Sequence, residues 1–323
     1  LQYNQSQRHS KPTHFLAIRI KNPLIFQLAK ALQEQFEEKY PSMNTSMVDL
    51  SSMHITLNVF YLENTSLLEK CMGLLACIEK WINKCIEETL RHSTAKAIEE
   101  TEINALSEKE GDNCMKDTVT NPDEMSIEQV VFDVVKSLKF TSQFKDLYQK
   151  VCFQSSANFV LSVRGVNHFD RKVVYLDFSG NSVSIQIITL LHRLIQVCST
   201  QLGLKIAKEN TFNPHCTLCK LSKLSKQQSN TLLQTSSRTQ TKSDINCKTL
   251  DHSIFDESVR GVFSRSNVTN IMDNLIAGSG LVFEEFVTDI GLCEMGRRNK
   301  DEYYQIVKNI TISTDTFRSQ ITK

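Results

Sequence analysis

One pattern occurs twice in this chain, and it limits the available folds more than any other feature. His14 to Ile20 is apolar and rich in β-branched residues, and it stops at Lys21-Asn22-Pro23, the mark of a strand that gives way to a helix with proline in its first turn. Leu24, Leu28, Ala31, Leu32 and Phe36 then recur at helical spacing, and Pro41 closes that helix. Met53 to Phe60 alternates as a strand with two unlike faces. The same order returns as a strand over Val173 to Phe178, a helix whose apolar face is Ile187, Ile188, Leu191, Leu194, Ile195 and Cys198 and which ends near Gly203, and the segment Phe212 to Leu218. Both units end on an apolar strand holding His-x-Thr: His54 and Thr56 in the first, His215 and Thr217 in the second. From the first strand to the histidine the two copies have nearly equal length (14 to 54 and 173 to 215), so the pattern predicts a duplicated strand-helix-strand unit and two similar lobes.

Alternation places each histidine and its threonine on one face of the strand and the aliphatic neighbours on the other. A single strand of this kind is ordinarily read as holding a hydrogen-bonded structural histidine. Two at matching places in two copies argue instead for one shared site. A third triplet, His92-Ser-Thr94, lies in a polar stretch without strand alternation and is read as an exposed surface histidine. Cleaving a phosphodiester requires one group to take the nucleophile's proton and another to protonate the departing oxygen. A pair of imidazoles with ordinary pKa values near 6.5 supplies both, while threonine hydroxyls donate to the phosphate oxygens.

Other chemistries find less support. Cys216 and Cys219 form a C-x-x-C, but three positions apart on a regular strand they point to opposite faces and would not share an ion. The chain contains no second C-x-x-C, no His-Glu-x-x-His and no phosphate-binding G-x-x-x-x-G-K-[ST] loop. Metal and cofactor are therefore both expected to be absent. The net charge of +1 over 323 residues lacks the basic excess of a protein that grips long duplex nucleic acid, so a nucleotide or short oligoribonucleotide is the expected partner. The longest apolar candidate, Ile185 to Val197, is interrupted by His192 and Arg193, and no membrane association is expected. Residues 1 to 10 are polar, read as disordered and unlike a signal peptide, so the ten cysteines are expected to be reduced thiols of a cytoplasmic or nuclear protein.

Two stretches fall outside the repeat. After a helix expected over Leu67 to Ile86, residues 89–150 carry mixed charge and one clear helical pattern, Ile127 to Leu138, and read as a surface insertion. Residues 222–279 are rich in Ser, Thr, Gln and Asn and read as a second insertion with little periodicity. Leu281 to Cys293 and Tyr303 to Ser313 read as two closing strands. Arg297 and Arg298 lie between them, either reaching a substrate phosphate or forming a solvated basic turn. Phe212 and Tyr304 are read as core, with stacking on a base as the alternative.

The paired motifs resemble those of the 2H phosphoesterases, a superfamily that includes LigT-like RNA cyclic phosphodiesterases. The likeness is closest to the A-kinase anchor protein 7-like phosphoesterase domain, on Phe159 to Phe178, Phe212-Asn-Pro-His-Cys-Thr-Leu-Cys-Lys-Leu-Ser-Lys223, Leu292-Cys-Glu-Met-Gly-Arg-Arg298 and Tyr303-Tyr304. The resemblance spans residues 11–323 as a single domain apart from the two insertions. It implies an α+β, bilobal 2H phosphoesterase (LigT-like) fold of two pseudo-symmetric lobes, each with an antiparallel sheet flanked by helices. It also implies general acid and base roles for His54 and His215, phosphate-binding roles for Thr56 and Thr217, and action on 2′,5′-linked oligonucleotides or 2′,3′-cyclic phosphates, or simple binding of AMP or CMP. Anchoring of protein kinase A is not expected, because the amphipathic helix such proteins use lies outside the phosphoesterase domain and has no counterpart after Ser313.

Overall fold

The computed structural model describes residues 11–102, 126–153, 159–170, 172–180, 182–207, 212–220, 262–276 and 283–312. Residues 1–10 and most of 222–279 lie outside the described residues.

The first unit folds as β1 (His14–Arg19), α1 (Pro23–Lys39) and β2 (His54–Phe60). Its helix starts where expected: the Asn22 side chain accepts from the backbone N–H of Leu24 at 2.8 Å, and Pro23 occupies the first helical position, where no N–H is needed. The second unit folds as β5 (Val173–Asp177), α5 (Val183–Gln201) and β6 (His215–Lys220). Gly203, at φ +70°, stops α5, and the backbone N–H of Leu204 donates to the Ser199 carbonyl, which closes the helix end. α2 (Thr65–Glu102), α3 (Ile127–Ser137) and α4 (Phe140–Phe153) lie between the units in sequence. The remaining elements are β3 (Val160–Ser162), β4 (Gly165–Phe169), α6 (Arg265–Ile276), β7 (Glu284–Phe286), β8 (Asp289–Arg298) and β9 (Tyr304–Thr311).

Seven strands form one antiparallel sheet in the order β4-β5-β6-β2-β1-β8-β9, and β3 pairs with β7 in a small ribbon. The two motif strands are neighbours at the centre of the sheet, where Ile55 pairs with Cys216, and each half of the sheet continues outward from its own motif strand. This is the α+β architecture expected, with the strands of the two halves joined edge to edge.

The pairing repeats residue by residue. Arg19 stands opposite His54 and Ala17 opposite Thr56; in the second unit Asp177 stands opposite His215 and Tyr175 opposite Thr217. Each motif strand then carries one extra residue, Leu57 between the partners of Ala17 and Leu16, and Leu218 between the partners of Tyr175 and Val174. These β-bulges fall three residues after the histidine in both copies and reverse the alternation beyond them.

The main core lies between the sheet and the helices and holds Leu16, Ile18, Leu28, Leu32, Ile55, Leu57, Leu191, Leu194, Cys216 and Leu218, all nearly sealed from solvent. α5 is long and apolar enough to cross a membrane by length and composition, but most of its apolar side chains, including Ile187, Ile188, Leu191 and Leu194, are buried here. A smaller cluster of Phe15, Ala17, Cys293 and Tyr303 occupies the other face of the sheet.

Two expectations about the connecting stretches change. Residues 126–153, read as part of a surface insertion, form helices whose Val130, Val131, Val134, Phe140, Phe144 and Tyr148 are buried in the main core, and α2 runs unbroken past Ile86 to Glu102. In the second stretch, α6 packs on α1: Phe263, just before it, meets Phe36 with ring centroids 5.2 Å apart, and Asn267 donates to Gln35 at 2.7 Å. The single closing strand expected over Leu281 to Cys293 is two, because Val287-Thr288 breaks it and sends β7 to pair with β3.

Candidate active site

With Ile55 opposite Cys216, antiparallel pairing sets His54 across from Thr217 and Thr56 across from His215. The four side chains thus form a square in which each imidazole has the other strand's hydroxyl opposite it, and the histidines sit on a diagonal, a spacing of roughly 7–8 Å between residues in such a ladder. Ile55, Leu57, Cys216 and Leu218 turn away into the core. The quartet lines one cleft of about 300 Å³ together with Met47, Val48, Asp49, Ser52, Met53, Lys220, Arg298 and Tyr304.

Each imidazole is held the same way. The Nδ1–H of His54 donates to the Ser52 carbonyl at 2.7 Å, and that of His215 donates to the Asn213 carbonyl at 2.8 Å. A carbonyl only accepts, so Nδ1 must carry the proton and the Nε2 lone pair is left for chemistry. Aromatic rings brace both: Phe15 and Tyr304 lie 4.7 and 5.5 Å from His54, and Phe169 and Tyr175 lie 4.7 and 5.1 Å from His215.

The electrostatics of the two sites differ. Burial pushes the pKa of His54 down to about 4, assisted by Lys220, His215 and Arg298 and opposed by the Ser52 carbonyl. His215 is also lowered, mainly by burial and further by Lys220, but the Asn213 carbonyl and the Asp177 carboxylate oppose the shift. An anion therefore faces one histidine, and the cation Arg298 acts on the other.

The two arginines separate. Arg298 lines the cleft, with its guanidinium 4.3 Å over the Tyr304 ring and Nη1 donating to the Glu302 carbonyl at 2.8 Å. Arg297 is not among the lining residues; it lies near the end of β8, pairs with Glu294 at 3.3 Å and is largely exposed. Tyr304 faces the cleft, whereas Phe212 stacks on His192 with ring centroids 4.8 Å apart and packs against the core. His92 falls within the helix α2, not on a strand.

Lys220 is a cleft residue that the sequence pattern does not point to. Strict alternation from His215 puts it on the buried face with Cys216 and Leu218; the bulge at Leu218 turns it to the cleft and sends Cys219 into the core. The legible sign was the break in period, two apolar residues followed by a lysine that a regular strand would have buried. The same bulge corrects the geometry argued for Cys216 and Cys219, which share one core instead of lying on opposite faces. Among the described residues no group of three or more His, Cys, Asp or Glu side chains is placed to hold a metal ion.

The model of the AKAP7 2′5′ RNA ligase-like domain family matches residues 12–103 and 125–312, with the His/Thr quartet, Lys220 and Arg298 inside the matched ranges. The chain belongs to this family. Its membership covers α3 and α4 as well as both repeated units, so those helices are part of the family's domain. A phosphoesterase-type role follows at the level of the family. No curated protein matches the chain.

Proposed function

We propose that this member of the family is a metal-independent phosphodiesterase acting on 2′,5′-linked oligonucleotides or on the 2′,3′-cyclic phosphates of short RNA. The reading rests on one observation: two imidazoles, each with Nδ1 tied to a carbonyl and Nε2 available, share a cleft with two threonine hydroxyls. His54, which stays neutral well below pH 7, acts as general base and takes the proton of the attacking hydroxyl or water at Nε2. His215, with Asp177 favouring its charged form, is the general acid and delivers a proton to the departing oxygen. One P–O bond forms, one breaks, and the net proton transfer runs from nucleophile to leaving group. Thr56 and Thr217 donate to the non-bridging oxygens, and Arg298 reaches the same anion from the β8–β9 end.

Incubation with 2′,5′-oligoadenylate and with a nucleoside 2′,3′-cyclic phosphate, each in EDTA, tests the proposal. Turnover of at least one substrate is expected; turnover of neither, or abolition by EDTA, sinks it. The alternative is a non-catalytic module that binds AMP or CMP. What favours it is the lowering of both histidines by burial, which leaves little imidazolium in the cleft at neutral pH. Calorimetry showing AMP or CMP binding, with no product formed from either substrate, would select this second reading.

A further inference from the structure

Each motif-strand bulge leaves a main-chain carbonyl out of the sheet's regular ladder, and each carbonyl is met by a donor from the helix of the opposite unit. In the second unit, the Leu218 carbonyl accepts from Gln33 Nε2 of α1 at 3.0 Å and from the backbone N–H of Val48 at 3.0 Å. In the first unit, the Leu57 carbonyl accepts from the Nδ1–H of buried His192 of α5 at 2.8 Å. The clamps are crossed: α1 secures the strand of the second unit and α5 that of the first.

The two bulges do not present the same residue. Five positions beyond its histidine, each strand turns a side chain to the cleft face: Val59 in the first unit, packed beside Phe15 and Ala17, and Lys220 in the second, which lines the cleft. Lys220 is thus a cation introduced on one side only of a nearly twofold arrangement, and its field acts on both His54 and His215. Gln33 is placed to control it. The same Nε2 that donates to Leu218 also donates to the Val48 carbonyl at 2.8 Å, so one amide ties the β6 bulge to the loop that forms the cleft wall. Met47 forms an isolated bridge to Cys219, the residue next to Lys220.

We infer that Gln33 is a positioning residue and Lys220 a phosphate-binding residue, coupled through the Leu218 bulge: the α1 amide fixes the bulge, and the bulge aims the ammonium at a phosphate seated between the two histidines. This rests on the cleft being the phosphate site proposed above. Without the Gln33 amide, the Leu218 carbonyl loses its side-chain donor and β6 can relax toward regular pairing, which would turn Lys220 toward the core. A buried ammonium without a partner is strongly disfavoured, so the strand end would instead move and carry the charge away from the cleft.

The test uses the full chain and two readouts. Without nucleotide, NMR titration of the His54 and His215 imidazoles is expected to show both pKa values raised by Lys220→Gln, because a nearby cation is removed. Gln33→Met, which keeps side-chain length and deletes the donor, should raise both in the same direction. Gln33→His, which borrows the donor used by the other unit, should restore wild-type titration. With AMP as ligand, Lys220→Gln and Gln33→Met should each weaken binding roughly tenfold, and the double variant should lose no more than either single one. Should Gln33→Met prove unfolded, Gln33→Leu provides the same comparison. Wild-type titration in a folded Gln33 variant lacking the donor, or losses that simply add in the double variant, would overturn the coupling. If wild-type protein binds no AMP and cleaves neither substrate, the functional proposal fails and the phosphate role of Lys220 with it, while the titrations still decide whether Gln33 positions Lys220.

Discussion

Ser52 and Asn213 do for the two histidines what a carboxylate does in many catalytic pairs: each fixes the tautomer, here through a main-chain carbonyl two residues upstream. The proton inventory then follows. With Nδ1 committed, the proposed mechanism leaves only Nε2 to exchange protons with a substrate, and on that mechanism removing either ring should lower turnover by about 100-fold or more, the usual scale for a general acid or base. His54→Ala and His215→Ala, assayed on whichever substrate the wild type cleaves, check this; an unchanged rate would remove that residue from the mechanism. Charge asymmetry gives a finer expectation. In the free protein the reactive form needs neutral His54 and protonated His215, so kcat/KM should fall as pH rises past the lowered pKa of His215, which lies below its ordinary value of 6.5. Asp177 opposes that lowering, so Asp177→Asn should move the falling limb to lower pH. A limb that stays in place or moves upward in the pH profile of kcat/KM would assign the acid role elsewhere.

At the level of elements, periodicity located what was regular and missed what was not. β1, α1, β2, β5, α5 and β6 follow from alternation and apolar stripes, and the histidines and threonines followed from them because each lies before its bulge, where alternation still holds. Lys220 lies beyond the bulge, and its orientation depends on a carbonyl held by a side chain 185 positions away in sequence, which no local pattern records. α4 is hidden in the sequence for a different reason. Phe140, Phe144, Tyr148 and Val151 form a helical stripe, but the charged and polar residues between them gave the segment the composition of a surface. The structure stacks Phe144 between Phe140 and Tyr148, with centroid separations of 5.5 and 6.0 Å, in a core shared with α2 and α5. If α3 and α4 belong to that core, Phe144→Ala should destabilise the whole protein by roughly 3–5 kcal/mol in denaturant unfolding, the cost of an emptied aromatic site. A loss below about 1 kcal/mol would mean that the helical pair is an appendage after all.

For the molecule as a whole, burial of imidazoles in both units links stability to pH. His14, His54, His192 and His215 all have pKa values lowered by desolvation. In the unfolded chain these rings return to about 6.5. Below that pH the unfolded state binds more protons than the folded one, so the stabilisation they provide is complete above pH 6.5 and is lost as pH falls toward about 4, the folded value for His54. The four rings should therefore make Tm fall between pH 7 and 5 in thermal unfolding, against the opposite effect of buried Glu285, whose carboxyl is raised by desolvation. His192 allows the cause to be isolated. It is buried, it lies outside the cleft lining, and its Nδ1–H holds the Leu57 carbonyl, a task the glutamine of the opposite unit performs without titrating. His192→Gln keeps a donor within reach of that carbonyl and deletes one proton-binding site from the unfolded chain. The drop in Tm from pH 7 to 5 should become smaller in this variant, although some stability at pH 7 is lost with the ring stacked on Phe212. An unchanged pH dependence would show that His192 is as free to protonate in the folded protein as in the unfolded one, which its sealed position between α5 and the β2 bulge does not allow.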